Sequence, residues 1–326
     1  MSARGRDLPV GKSSKRTNLL VAGSANLDFV VRASHVPAPG ETVLGREFST
    51  FPGGKGANQA VACARAGGVE TRMLLALGND RFAASIEDSL EDAGVQLQIV
   101  RSTSPTGTAF ICLSDDAENA ITVAPGANNA LRGDELSALE DVSHLLLQLE
   151  TPLDAVTAYA LEARKAGVQV ALNAAPAQAL PTELLKSVDV LIVNEGELAT
   201  VTGHRGSVAE CLALLDVPCV VVTLGARGCC ARQGGAFFLQ SGFKVQAVDT
   251  TAAGDTFCGA LVAALNLGDA LPSALRYACA ASALACTRLG AQSSIPQRAE
   301  VEALLHADDR HAAANDQTLA AYCGLV

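Results

Sequence analysis

Short apolar runs alternating with Ala-rich stretches constrain the fold of this chain more than any other feature. The runs Asn18 to Gly23, Arg72 to Leu77, Val142 to Leu149, Gln169 to Leu172, Val188 to Val193 and Cys219 to Thr223 have the length of strands buried on both faces. Asn58 to Ala66, Pro152 to Ala166 and Ser207 to Leu215 lie between them and suit helices. Strand and helix at this spacing indicate βαβ units and a mostly parallel sheet, an α/β fold. Two segments break the rhythm. Glu41 to Phe51 and Gly107 to Val123, the latter around Ser114-Asp-Asp-Ala-Glu118, alternate apolar with polar and predict hairpins of a small second sheet. Beyond Asp255 an Ala-rich helical stretch runs to about Ala285.

Composition narrows the function. With 326 residues, the chain has room for a large core. The net charge of −10 argues against a nucleic-acid or anionic-membrane surface, since either needs a basic footprint. The longest charge-free stretch, Ala166 to Thr182, is interrupted by Asn173, Pro176 and Pro181 and is no membrane span. Ten cysteines show no C-x-x-C spacing, and most sit in apolar surroundings such as Ala278-Cys279-Ala280-Ala281. With no secretory apolar core near Met1, they are expected to be reduced thiols of a cytoplasmic protein. Residues 1–17 are basic and rich in Gly, Pro and Ser, as in a disordered tail or an acid-poor transit peptide. Residues 306–326 are polar, as in a helix or loose tail. Gly11-Lys12-Ser13 lacks the upstream Gly and strand of a P-loop, and Cys323-Gly-Leu-Val326 lacks the aliphatic residue of a prenylation box.

Five motifs carry candidate chemistry, and each has a plainer reading. Gly53-Gly54-Lys55-Gly56-Ala57-Asn58-Gln59 opens a helix and lets backbone approach a ligand closely, or is a Gly-rich turn. Asn26 and Asp28 follow the first strand at alternate positions, where they can share a polyol, or form an Asx turn. In Asp249-Thr-Thr-Ala-Ala-Gly-Asp-Thr-Phe257, the small residues Ala252, Ala253 and Gly254 precede a long helix and can form an anion hole beside Asp255. The plainer reading is an N-cap aspartate. Asn194-Glu-Gly-Glu197 is a carboxylate pair at a strand end, suited to Mg²⁺ through water, or a capped helix start. Thr223-Leu224-Gly225-Ala226-Arg227-Gly228 suits a nucleotide phosphate or any tight turn.

Together and in this order, these motifs resemble the ribokinase-like, or PfkB, family of sugar kinases, from Asn18 to about Leu305. Pro39-Gly-Glu-Thr-Val43, Gln148-Leu-Glu150-Thr-Pro152, Phe243 to Asp249 and Arg288 to Gln292 resemble its ribose-phosphorylating branch. The resemblance implies a three-layer αβα kinase domain over about 18–305, with a β-sheet lid from about 28–52 and 106–124. It implies ATP-dependent phosphorylation of D-ribose at O5 and a homodimer through the lids. Asp255 resembles the catalytic base. Asn26, Asp28, Gly54, Lys55, Gly56, Ala57, Asn58 and Glu150 resemble the sugar contacts. Asn194, Thr223, Leu224, Gly225, Ala226, Arg227, Gly228, Gly254 and Cys279 match nucleotide positions, and the low aromatic content (4%) predicts an aliphatic slot for adenine. The family pattern implies Mg²⁺, with Glu197 acting through water, and K⁺ held by Asp249, Thr251, Ala285, Arg288, Gly290 and Ser294, largely through carbonyls. A sibling kinase for deoxyribose, fructose or adenosine, and a sugar-sensing protein without catalysis, are the alternatives. Retention of Asp255 with its anion hole speaks against the second.

Overall fold

The computed structural model describes residues 17–114, 119–136, 138–307 and 316–326. The expectations for residues 1–16, for the turn at 115–118 and for positions 308–315 of the polar C-terminal segment lie outside them. A nine-stranded sheet forms the centre, in the order β13-β12-β11-β10-β9-β8-β1-β4-β5. Its strands are β1 (Asn18–Ala22), β4 (Thr71–Gly78), β5 (Val95–Ser102), β8 (Val142–Leu147), β9 (Gln169–Asn173), β10 (Val190–Asn194), β11 (Cys219–Thr223), β12 (Gly228–Gln233) and β13 (Ala236–Ser241). From β5 to β11 every pairing is parallel, while β12 and β13 add antiparallel at one edge. A second sheet, in the order β3-β2-β6-β7, holds β2 (Asn26–Arg32), β3 (Glu47–Gly53), β6 (Gly107–Leu113) and β7 (Asn119–Ala124).

The alternation of side chains along each strand divides the core in two. Leu19 and Val21 point to one face, Leu20 and Ala22 to the other. The first face is covered by α1 (Lys55–Arg65), α2 (Arg81–Asp92), α7 (Ala253–Asn266), α8 (Leu271–Ala285) and α9 (Arg298–Ala307). The second is covered by α3 (Leu153–Lys165), α4 (Thr182–Leu185), α5 (Glu195–Thr202), α6 (Val208–Ala213) and α10 (Asp316–Cys323). No helix among the described residues is long and apolar enough to cross a membrane.

Two expectations need adjusting. Glu41 to Phe51 is not a hairpin by itself: only Glu47–Gly53 is extended, and it pairs antiparallel with Asn26–Arg32. The helical stretch after Asp255 is two helices, broken where Gly268 takes a positive φ of 91°.

The crossing of α1 and α7 sets the site. A Cβ built on Gly259 would lie 2.5 Å from Ala62 Cβ, 2.6 Å from Gln59 O and 3.0 Å from Cys63 N. Only a hydrogen fits there, so the two backbones touch. Replacing Gly259 by Val would force them apart, and overpacking of this kind costs about 2 kcal/mol or more. Urea denaturation of Gly259→Val should show that loss; unchanged stability would refute the tight crossing.

Candidate active site

The polar residues that end five parallel strands gather at one edge of the large sheet. β1 runs into Gly23-Ser24-Ala25-Asn26, β8 into Gln148-Leu149-Glu150, and β9, β10 and β11 end at Asn173, Asn194 and Thr223. Between β1 and β8 the chain order reverses, the place where open parallel sheets leave a crevice.

Asp255 lies there, nearly buried, in the first turn of α7. It is not the N-cap; that position belongs to Ala252, which caps without a side-chain bond. The α1–α7 crossing brings two amides onto its carboxylate. Asn58 Nδ2 donates to Oδ2 at 3.0 Å and Gln59 Nε2 to Oδ1 at 2.9 Å. Gln59 Nε2 also reaches Asn173 Oδ1 at 3.0 Å, and Gln148 Nε2 donates to Gln59 Oε1 at 2.7 Å. Asn58 Oδ1 is left buried without a donor, a free acceptor for a hydroxyl.

The helix start beside Asp255 is open to a ligand. Ala252 adopts φ 56°, ψ 9°, the only positive φ outside glycine among the described residues. This costs an alanine roughly 1 kcal/mol. Of the N–H groups expected to converge, that of Ala253 turns back to Thr250 O at 3.2 Å, and Thr256 N–H meets Ala252 O. Those of Gly254 and Asp255 meet no acceptor among the described residues. A Cβ on Gly254 would find nothing within 4 Å. The free N–H pair at a helix N-terminus is an anion site.

Two joined cavities meet at this turn. The smaller, about 240 Å³, contains Asp255 with Lys55, Asn173, Glu197 and Cys258 in its walls. The larger, about 720 Å³, takes Gly225, Ala226, Gly228, Cys279, Phe243 and Phe257 among its lining. Asn194, Thr223, Thr250 and Gly254 border both. Two phenylalanines thus enter a slot expected to be aliphatic. Leu224 is not in the lining but in the core, and Arg227 stacks on Tyr322 instead.

On the other side of Asp255 stand the sugar-contact candidates. Asn26 and Asp28 alternate along β2, not in an Asx turn. Asn26 Oδ1 is taken by Asn128 Nδ2 at 2.8 Å. Glu150 Oε2 accepts from Ser24 Oγ at 2.6 Å and from Lys55 N–H at 3.0 Å, clamping the start of α1. Gly54 takes φ 90°, and a Cβ there would come within 2.8 Å of Ala25 Cα and Asn26 N. Gly56 packs against Ser24, and Ala57 belongs to the core, so neither presents a side chain to a ligand. Asn194 and Glu197 form a capping box, the plainer reading of that motif, yet both also line the small cavity.

Three carboxylates act on one lysine. The Lys55 ammonium is held above its ordinary range by Asp255 first, then by Glu150 and Glu197, against its desolvation. Burial raises Glu197, opposed by the Asn194 N–H and Lys55. Asp28 is pushed up to about 7, by desolvation first and then by Glu150 and Asp255. No protein donor meets its carboxylate among the described residues.

The cation candidates converge in part. Asp249 Oδ1 accepts from Thr251 N–H (2.9 Å) and Oγ1 (2.7 Å), and Oδ2 from Gly290 N–H (2.9 Å). The Arg288 guanidinium pairs with Glu300, and Ser294 Oγ donates to Ala291 O. Arg288 and Ala285 can therefore offer carbonyls only, while Ser294 Oγ keeps its lone pairs. Among the described residues no group of three or more His, Cys, Asp or Glu could hold a metal ion.

Residues Gln59, Gln148, Asn173 and Asn128 escaped the sequence reading as site residues. Their one signal is an amide inside or just after an apolar run, where an unpaired polar group is costly.

Residues 16–298 match the profile described as pfkB family carbohydrate kinase. The chain is 40% identical over 307 residues to a ribokinase of Haemophilus influenzae, covering 90% of this chain and 100% of that protein. It is 37% identical to a ribokinase of Bacillus subtilis, covering 88% and 99%. Among solved structures, ribokinase from Thermotoga maritima superposes with a TM-score of 0.81 at 38% identity, covering 88% of this chain and 99% of that one. Arabidopsis thaliana ribokinase, complexed with ribose and ATP, gives 0.81 at 36% identity, covering 89% and 98%.

The Asp28 environment has a thermodynamic consequence. With the folded value raised above the ordinary 3.8, the native state holds the extra proton between about pH 4 and 7. Stability therefore falls as pH rises through that window. Asp28→Asn, neutral throughout, should be more stable than wild type at pH 8 by about 1–3 kcal/mol, with the gap closing toward pH 4. Urea titrations at several pH values measure it, and a gap independent of pH would contradict it.

Proposed function

The chain belongs to the pfkB family of carbohydrate kinases, and from that premise we propose that it transfers the γ-phosphoryl group of ATP to O5 of D-ribose, giving ribose 5-phosphate and ADP. One observation carries the reading: Asp255 stands between the sugar-contact candidates on one side and the helix start bordering the larger cleft on the other, its carboxylate oriented by two amides.

Phosphoryl transfer asks mainly for positioning and for stabilisation of charge on the transferred group. Asn26, Asp28, Asn58, Lys55 and Glu150 hold the sugar hydroxyls, with the orphaned Asn58 Oδ1 as one acceptor. Asp255 takes the proton from O5 as that oxygen bonds to the γ-phosphorus and the bond to the β-phosphate oxygen breaks. Asn58 and Gln59 donate to the Asp255 carboxylate and keep it aimed. The N–H groups of Gly254 and Asp255 meet the charge on the phosphoryl oxygens. The larger cleft takes the nucleotide, with the adenine between Phe243, Cys279 and Ala283.

No group of three or more carboxylates among the described residues is set to hold a divalent ion by itself, and Glu197, in the wall of the small cavity, would be the residue to help hold a Mg²⁺ bound with the nucleotide. The carbonyl-rich loops drawn together by Asp249 suit a monovalent cation such as K⁺. When bound, these ions supply positive potential beside the phosphates that the acidic surface cannot. The second sheet is read as a lid over the sugar. Register sets Asp28, Phe51, Ala109 and Val123 opposite one another on one face, and Val123 and Ile121 remain exposed beyond the site. That apolar strip supports a homodimer in which the lids cover each other. Ten free thiols, eight of them buried, support a reducing compartment such as the cytoplasm.

Asp255→Asn should lower kcat for ribose about 100-fold or more while ATP affinity stays within a few-fold; a near-wild-type kcat would remove Asp255 from the base role. Replacing K⁺ by Na⁺ at equal ionic strength should lower the rate, and equal rates in both salts would dismiss the cation site. Light scattering should give twice the chain mass of 33.3 kDa.

A further inference from the structure

The match to the family ends at residue 298, but the described chain returns as α10 beyond it. Leu319 and Cys323 anchor α10 in the second-face core, with Cys323 fully buried. This sets Tyr322 between two rims of the larger cavity. The Arg227 guanidinium lies over its ring, 4.2 Å from the centroid. Its phenol donates to Glu195 Oε1 at 2.7 Å. Arg227 closes the turn whose Gly225 and Ala226, with Gly228, line the cavity; Glu195 opens α5 and lines the same cavity with Gly196. Gly225 and Gly228 both take positive φ, so glycines bracket the turn at both ends. One aromatic ring therefore ties the loop after β11 to the helix start after β10.

We propose that Tyr322 of the C-terminal helix is a positioning residue for the nucleoside triphosphate, fixing the spacing of the Arg227 turn and the Glu195 helix start across the cavity. The inference rests on assigning the larger cavity to the nucleotide. Tyr322 touches neither the sugar pocket nor Asp255, so its loss acts on nucleotide binding and spares the chemical step.

The test compares full-length wild type, Tyr322→Phe, Tyr322→Ala, Arg227→Met and the Tyr322→Ala/Arg227→Met double variant. Calorimetry gives Kd for ATP, and initial rates give both KM values and kcat. A cation–π contact and a charge-assisted hydrogen bond at a solvated rim correspond to about a five- to tenfold weaker ATP affinity in Tyr322→Ala and about two- to threefold in Tyr322→Phe. The expected pattern is a matching rise in KM for ATP, with kcat and KM for ribose within about twofold. The double variant should lose little beyond Tyr322→Ala, because both residues serve one contact. Unchanged ATP affinity in Tyr322→Ala would overturn the proposal. So would fully additive losses, or a parallel decline of kcat, both KM values and the unfolding midpoint, which marks a merely structural helix. Wild type that binds ATP but does not phosphorylate ribose would sink the sugar assignment and leave the Tyr322 comparison decisive by calorimetry. Wild type that fails to bind ATP would sink both.

Discussion

The Asp255 carboxylate, held by one amide from Asn58 and one from Gln59, is the interaction on which the rest of the site depends. Both amides come from consecutive residues of α1, which is possible only because α1 meets α7 backbone to backbone at Gly259, one turn beyond Asp255. Gln59 then reaches Asn173 at the end of β9 and Gln148 at the end of β8. Four elements are thus locked by a chain of amides in the interior. Buried polar groups of this kind are costly unless satisfied and rigid when they are. Here the donors are spent on the carboxylate, which fixes its position.

That network lies in an unusual field for a protein expected to take an anionic ligand. Glu150, Glu197 and Asp255 act on Lys55, and Glu150 and Asp255 also on Asp28, in a chain of net charge −10. Repulsion and desolvation appear in the raised Asp28 and Glu197. A carboxylate without a protein donor is ready to accept from a sugar hydroxyl, and the stability forgone at Asp28 is the usual cost of such readiness. On the proposed assignment the phosphates meet the helix end instead, so the sugar and nucleotide halves would use opposite electrostatics across the width of one aspartate. The left-handed Ala252 makes that abrupt change possible. Asp249 fastens Thr251 on one side and Gly290 on the other, and the turn they hold bends the chain so that Gly254 and Asp255 present N–H groups outward.

Much of this was legible in sequence because the signals were local. Apolar runs gave the inner strands to within a residue or two, and motif order gave Asp255, Gly254 and the Asn26/Asp28 pair. The outer elements were not legible for stated reasons. β5 (VQLQIVRS) alternates and lies at an edge, with most of its side chains part-exposed. β12 and β13 pair antiparallel at the other edge, and α2 carries only three fully buried residues. In the site, Gln59 lay at the end of a Gly-rich motif with no role of its own, while its contacts are made with residues 89 and 196 positions away. Asn194 and Glu197 were offered as either a cap or a site, and geometry makes them both.

Tyr322 marks the limit of local reading most clearly. It follows a polar stretch, and although its own neighbours Leu319, Ala320, Ala321 and Cys323 are apolar, nothing near it in sequence names a partner. Its meaning depends on α10 being carried back to β12 and β13, where Leu319 and Cys323 fill the core beneath the nucleotide rim. A helix added outside the family region could have docked anywhere on the sheet. Docked here, it joins the two strand-end loops that border the larger cavity but leaves the Asp255 network untouched. The acid–base centre and the nucleotide rim are therefore held by separate contacts: the first by buried amides that tolerate no adjustment, the second by a ring at the surface that can be altered with less consequence for the fold. Nucleotide affinity is the property such an appendage can tune without disturbing the chemistry.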